Sequence, residues 1–393
     1  MNRLEKNLLE KLDRLLPVIV VVVVSALGFL VRASLRNFLG IDAISFLLPW
    51  YDLIAQHGLY EQIGDYNLVY QLLIWIMTKI PIAPLFAYKC LSCIFDYVCA
   101  AAAALLVMQV ENRNRMWNGI FTYSAIVLSP LVFLNSAAWA QCDAIFVSFA
   151  ILGLYLLEKE NYNWAIISLG MSFAIKLQAV FILPVFLLVY YVRRKFSITR
   201  FLLIPAVILA TASPLMLWGR NPLEAFGVYG IQTDRYNLMA AHYPSFWAIF
   251  CDTWSTEQYA YLKLSAIILT VGVLALLMLL WIRKQYDTTG RNLVIMAFLL
   301  AYSCVLFLPA MHERYGYMYE ILAIILAVLI PKTLPLCIAL LLVGLNSYGV
   351  FLFGTTTNFM ILAFVNMAVY MAYMMILHRE LKGSSQTLTE VMQ

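Results

Sequence analysis

The chain has 393 residues, of which 64% are hydrophobic and only 12% charged, with a mean hydropathy of +0.85. Soluble globular proteins are about half apolar and about a quarter charged, so this composition excludes an ordinary water-soluble enzyme. The net charge of +5 comes from basic residues scattered beside apolar runs, not from a basic stripe, which argues against a nucleic-acid partner.

The first apolar run, Leu15 to Val31, follows a mixed-charge segment and lacks a small-residue cleavage site. It is expected to stay as a first span and not to be removed as a signal peptide. Further runs at 84–109, 118–134, 139–157, 163–177, 179–192, 200–218, 261–282, 291–309, 315–330, 334–353 and 357–377 follow. They predict an all-α polytopic membrane protein of about 11–13 transmembrane helices. No soluble domain interrupts them, so 1–382 reads as one transmembrane domain. Residues 67–80 reach only about 21 Å as a helix, short of the ~30 Å hydrocarbon core. They are expected to lie in, or dip into, the interface. The segments 33–83 and 219–260 mix aromatic residues with Asp, Arg and His and read as outer loops carrying interfacial helices. The last stretch, 383–393, reads as a disordered cytoplasmic tail.

Orientation follows from the basic residues. With the N-terminus inside, about 17 of the 26 Lys and Arg are cytoplasmic, including the clusters at 193–195 and 283–284. Both termini then face the cytoplasm, and the expected location is the plasma membrane. The same topology gathers Asp42, Asp52, Asp65, Asp143, Lys176, His242, His312, Glu313 and Arg314 at the outer boundary. Ionisable groups at membrane depth are costly and usually functional. The plainer reading, that polar residues mark loop ends, suits Glu257 and Arg220. It suits Lys176 poorly, because Lys176 and Gln178 interrupt the apolar run SFAIKLQAVF.

Each cluster admits two readings. Asp42, in GIDAISFLLPWYDLI beside Trp50 and Tyr51, is either a general base toward an incoming hydroxyl or an exposed acid on an interfacial helix. Asp52 reads as the exposed kind. Asp65 either caps the short helix that follows or lines the site. In WAQCD, Gln141 and Asp143 bind sugar hydroxyls or orient other side chains, or else Asp143 caps the helix it begins. In MHERY, Arg314 joins Lys176 in an anion pocket, because guanidinium binds phosphate bidentately and ammonium acts as a point charge. The alternative is a local Glu313–Arg314 ion pair. Asp96 falls near mid-membrane and is expected to pair with Lys89 or Lys176 in a structural role. Cys90 and Cys93 form a CxxC inside an apolar span with no second ligand pair, so neither metal nor redox chemistry is expected. Cys142 and Cys251 are the one outer-face pair, and no disulfide is expected of them.

Taken in order, these motifs resemble the GT-C superfamily of polytopic glycosyltransferases. The resemblance is carried by Asp42 in the first outer loop, a DYPP-like element written DYNL from Asp65 and a WGQCD-like element written WAQCD. KLQ at Lys176 to Gln178, YPSFW from Tyr243 and MHERY from Met311 complete it. The chain looks most like bacterial mannosyltransferase-like proteins related to the GPI-anchor mannosyltransferases, and like the dolichyl-phosphate-glucose-dependent glucosyltransferases. DYNL lacks the family's prolines and Ala140 stands where Gly is usual, which leaves the roles of Asp65 and Gln141 less defined. The resemblance implies inverting transfer of mannose, glucose or galactose from a polyprenyl-phosphate-linked donor to a hydroxyl of a glycolipid, polysaccharide or protein acceptor. It implies Asp42 as the base, with Lys176, Arg314 and His312 on the lipid-phosphate leaving group. Trp50, Tyr51 and Trp139 would stack on sugar rings; Asp65, Gln141, Asp143, Gln178, His242 and Glu313 would bind sugar or acceptor. No metal or other cofactor is expected. Two other readings stay open: a lipid-linked sugar flippase, against which the lack of an internal repeat speaks, and a non-catalytic subunit of an envelope-glycan assembly complex.

Overall fold

In lipid, backbone N–H and C=O groups must find partners within the chain, so apolar runs of this kind become helices. The computed structural model describes residues 3–234, 236–251 and 256–391. It begins with α1 (Arg3–Ser34), a π-helical turn at Ala43–Leu47, α2 (Leu48–His57), α3 (Leu68–Met77) and α4 (Pro84–Val110). Next come α5 (Arg115–Val127), α6 (Pro130–Phe133) running into a second π turn at Leu134–Ala138, and α7 (Asp143–Glu158). Then follow α8 (Tyr162–Ile175), a 3₁₀ segment at Leu177–Ile182, α9 (Leu183–Arg193), α10 (Leu203–Met216) and α11 (Glu224–Asp234). The last five helices are α12 (Thr256–Arg283), α13 (Gly290–Phe307), α14 (Tyr317–Leu329), α15 (Leu334–Phe353) and α16 (Phe359–Val391). Two short strands, β1 (Ala240–Ala241) and β2 (Met311–His312), pair in parallel, with Ala240 opposite Met311.

The protein is an all-α, multi-pass membrane protein. Among the described residues, seven helices are individually long and apolar enough to cross a bilayer; α5 with Pro130–Ala138 makes an eighth if that pair, bent by 47°, is one span. The shorter apolar helices include α3, α8 and α14. The 11–13 spans counted from apolar runs therefore exceed the helices long enough to cross alone. The runs at 163–177 and 179–192 are divided at Lys176, which adopts an extended conformation (φ −156°, ψ 139°) between α8 and the 3₁₀ segment.

Burial sorts the helices. Of the apolar window of α13, 89% is buried, against 11% for α1. A helix apolar on every side belongs either inside a bundle or against lipid; α13 takes the first position and α1 the second. Around the centre, α4 packs on α5 and α7, α7 on α8, α8 on α10, and α13 on α12 and α14.

The helix termini gather at two ends. At one, Arg193 donates to the Leu157 and Thr288 carbonyls at 2.7 and 2.5 Å, the Gly290 N–H donates to Glu158 at 3.0 Å, and Arg291 pairs with Glu111. At the other end of α7, about 24 Å away along its axis, lie Asp143, Lys176 at the end of α8, and the loop after α13. The basic clusters and the candidate site are thus separated by the length of α7.

Three sequence expectations are corrected here. Asp96 pairs with neither Lys89 nor Lys176 but with Arg32 of α1 (2.8 Å), and it also accepts from the Ser136 hydroxyl. Lys89 lies seven residues, about two helical turns, before Asp96 on α4. It donates instead to the carbonyls of Leu35 and Phe38, at 2.8 and 2.6 Å. Second, the backbone of 383–391 continues α16 in place of an irregular tail; extending a formed helix adds one hydrogen bond per residue fixed. Residues 392 and 393 lie outside the described residues. Third, Asp65 does not cap α3, whose N-cap is Asn67.

Candidate active site

The extended Lys176, the π turn at Ala43–Leu47 and the β1–β2 bridge border a cavity of about 330 Å³. Asp42, Trp50, Asp65, Gln141, Lys176, Gln178, His242, His312, Glu313 and Arg314 all line it. Ten of the thirteen residues singled out from the sequence are thereby brought together, from segments as far apart as 42 and 314.

Asp42 sits at the start of the Ala43–Leu47 π turn. Its Oδ2 accepts from the indole N–H of Trp139 at 2.8 Å and from the Gln141 amide at 3.0 Å, and lies 3.6 Å from Nη1 of Arg314. These contacts all converge on one carboxylate oxygen. Among the described residues, Oδ1 accepts no hydrogen bond. One oxygen anchored and one open is the geometry a general base requires. The anchor is itself built: Gln141 accepts from the Tyr66 hydroxyl at 3.3 Å, so its amide is oriented from both sides.

The second π turn, Leu134–Ala138, aims Trp139 and Gln141. π turns insert an extra residue into a helical ladder and recur at functional sites, and here one flanks each partner of the Asp42 contact. The chain then turns at Ala140 with φ +59°. That left-handed conformation suits glycine best and costs an L-residue about 1–2 kcal/mol, which is the physical reason for a glycine at this position in WGQCD. The Gly64 turn is comparably tight. Its φ is +64°, and a Cβ there would stand 2.4 Å from the Trp50 ring, so Gly64 lets Trp50 lie against the backbone.

The cations are not free charges. Lys176 donates to Asp143 at 2.5 Å and packs over the Phe146 and Tyr315 rings. Arg314 donates through Nη1 to Glu313 at 2.8 Å and approaches Asp143 at 3.7 Å through Nε. The local Glu313–Arg314 pair and the pocket position therefore coexist. Burial pushes the Glu313 carboxyl up, but His312 and the Arg314 guanidinium outweigh it and hold the group at about 2. Burial alone would lower the Arg314 guanidinium; Glu313 and Asp42 keep it raised, so it stays charged. Two nitrogens on this loop, Arg314 Nε and His312 Nε2, are buried with no hydrogen-bond partner among the described residues. Buried polar groups are nearly always satisfied; a ligand acceptor would satisfy Arg314 Nε, which can only donate, whereas His312 Nε2 donates or accepts according to the proton it carries. His242, at φ +54°, packs edge-on against Phe351 and Phe359, and burial depresses its imidazole below the ordinary range.

Three assignments change. Trp139 is not a sugar platform: it is 2% exposed, stacks on Phe351, meets Tyr348 edge-on and has the Arg314 guanidinium over its ring. Its faces are occupied, and its N–H orients Asp42. Tyr51 turns away from the cavity and packs against Tyr88, with ring centroids 6.4 Å apart. Asp143 lies behind the lining, bound to Lys176 and to the Asn135 amide at 2.9 Å, and is not among the residues that face the cavity. Asp52 is exposed, as read. The sequence reading missed Tyr66, Gln232 and Tyr236, which also line the cavity; DYNL pointed to the first, but nothing in the 219–260 segment marked the other two.

All seven cysteines are free. Among the described residues, no three His, Cys, Asp or Glu side chains converge as a metal-ligand set.

Compared with known proteins, the chain matches glycosyltransferase family 87 over residues 66–309, more than half its length. Asp42, Asp65 and the MHERY loop fall outside that match and complete the cavity from either side. No curated protein matches the chain.

Proposed function

The chain belongs to glycosyltransferase family 87, and on that premise we propose that it transfers one hexose from a polyprenyl-phosphate-linked donor to an acceptor hydroxyl outside the cytoplasm. The hexose is mannose, glucose or galactose, and the acceptor is a glycolipid, polysaccharide or protein. The observation that carries the proposal is Asp42, a residue of the cavity lining, with Oδ2 held by Trp139 and Gln141 and no hydrogen bond to Oδ1 among the described residues.

In this scheme the acceptor O–H gives its proton to Oδ1 of Asp42 as its oxygen attacks the anomeric carbon. The bond from that carbon to the donor phosphate oxygen breaks, and the electron pair leaves with the lipid phosphate. A single displacement of this kind inverts the configuration. Charge growing on the leaving phosphate is met by donors already in place on Arg314, His312 and Lys176. Preorganised donors of this sort act most strongly where water is excluded. Because Lys176 and Arg314 are paired at rest, their contribution is direction more than net charge. Trp50, at the cavity wall, offers an aromatic surface to a sugar ring. Nucleotide sugars are made in the cytoplasm, whereas a lipid-linked sugar can be presented at the outer membrane boundary. That difference supports a polyprenyl-phosphate donor at a site on the far side from the basic clusters.

The test uses purified protein, a panel of polyprenyl-phosphate mannose, glucose and galactose, and a glycan acceptor, scored by the mass of released lipid phosphate. Asp42→Asn keeps an oxygen for Trp139 and Gln141 but cannot take the proton, so transfer falls about 10²–10⁴-fold with the protein folded. Transfer at the wild-type rate would remove Asp42 from the base role. The proposal also holds that no metal takes part: EDTA leaves the rate unchanged, and loss of turnover restored by a divalent cation would contradict it.

A further inference from the structure

The 219–260 segment contributes one side chain whose orientation is fixed by an unusually directed chain of hydrogen bonds. A backbone carbonyl can only accept. The Phe173 carbonyl lies 2.8 Å from the Asn67 amide, so the Asn67 group facing it is the NH₂. Oδ1 of Asn67 then faces the other way, and Nε2 of Gln232 donates to it at 2.6 Å. The same nitrogen donates to the Asp65 carbonyl at 2.7 Å. Turning the Gln232 amide over would set its oxygen against two acceptors. Which end of an amide is oxygen must be argued from its partners, and here the partners leave one answer.

The remaining atom, Oε1 of Gln232, is buried and has no hydrogen-bond partner among the described residues, on a side chain that lines the cavity. Gln178, 8% exposed and on the same wall, also has an unpartnered side-chain oxygen. An amide oxygen only accepts. Its missing partner must therefore carry an O–H or N–H, which excludes an ionised phosphate and a prenyl chain. We propose that Gln232 is a specificity-determining residue, its Oε1 accepting a hydrogen bond from one ring hydroxyl of a sugar in the cavity. The proposal rests on the glycosyltransferase reading above and adds the residue by which the site reads hydroxyl position. The hydroxyl belongs either to the donor sugar or to a sugar of the acceptor.

The test compares wild type with Gln232→Met, which keeps the length of the side chain and removes the acceptor. Each protein is assayed with the transferred hexose and its monodeoxy forms as donors, and in a second arm with monodeoxy acceptors. Wild type loses at least about ten-fold in kcat/KM when one particular hydroxyl is removed. Gln232→Met loses a similar factor on the parent substrate and no longer distinguishes it from that one deoxy form, while discrimination at the other hydroxyls persists. The arm in which this occurs assigns the hydroxyl to donor or acceptor. Because the ratio is read within one preparation, partial misfolding cancels from it. Retention of wild-type discrimination at every hydroxyl overturns the proposal, and so does a wild-type enzyme for which no hydroxyl matters ten-fold. If no polyprenyl-phosphate sugar is transferred, the donor class fails separately. Thermal shifts of both proteins with methyl hexosides and their monodeoxy forms then decide Gln232: collapse of selectivity at one hydroxyl supports it, and identical selectivity overturns it.

Discussion

Asp42 shows how a single carboxylate can be both held and reactive. Two neutral donors and one cation approach Oδ2, at 2.8, 3.0 and 3.6 Å. They fix the plane of the group without using its other oxygen. The Trp139 contact is the most replaceable of the three, because phenylalanine retains the ring that stacks on Phe351. Trp139→Phe is expected to lower kcat about ten-fold by freeing the carboxylate to rotate, with KM within about two-fold because substrate does not touch the indole. Steady-state kinetics on the preferred donor check this; an unchanged kcat would return Trp139 to a packing role. This placement was legible in the sequence only in part. Asp42, Lys176 and Arg314 stood out because ionisable residues in apolar surroundings demand a reason. Trp139 looked like a sugar platform because spacing shows that an indole is present but not where its N–H points.

At the scale of elements, the site is made where helices fail to be regular. Lys176 ends α8 in an extended conformation, Ala43–Leu47 and Leu134–Ala138 are π turns, and Ala140 and His242 take positive φ. SFAIKLQAVF shows Lys176 and Gln178 interrupting an apolar run, so a division between 163–177 and 179–192 is legible, but the extended backbone at Lys176 is not. Asp96 was misassigned for a related reason: its partner Arg32 lies in α1, and helix neighbours cannot be deduced from the order of the helices. WAQCD differs from the WGQCD it resembles at Ala140, the residue that turns left-handed, though the turn itself is not read from the sequence. Ala140→Gly is accordingly expected to leave the melting temperature within a few degrees, as relieved strain offsets the lost methyl. Ala140→Val should destabilise by about 2 kcal/mol or more, because a β-branched residue is an outlier at this φ. Thermal unfolding in detergent checks both, and a Val variant as stable as wild type would contradict the turn.

On the scale of the whole molecule, the all-α, multi-pass character and the gathering of polar residues were open to reading from composition, run lengths and charge. That α3 is too short to cross was legible in residues 67–80; α8 and α14 come from runs counted as spans but form helices of only 14 and 13 residues, and seven helices among the described residues are individually long enough to cross. The bundle has a chemical end and a basic end, separated by the length of α7. Family membership establishes a glycosyltransferase; which way the bundle faces decides what donor can reach it.

That orientation is tested most directly in intact cells. Single cysteines are placed at Ile41, 65% exposed on the cavity rim, and at Lys195, exposed in the basic cluster; the wild type, whose seven cysteines are buried or partly buried, is the blank. A membrane-impermeant maleimide added outside should label Ile41→Cys strongly and Lys195→Cys only after the cells are opened. Labelling of Lys195→Cys in sealed cells, with Ile41→Cys protected, would place the cavity on the cytoplasmic side and remove the basis for a lipid-borne donor.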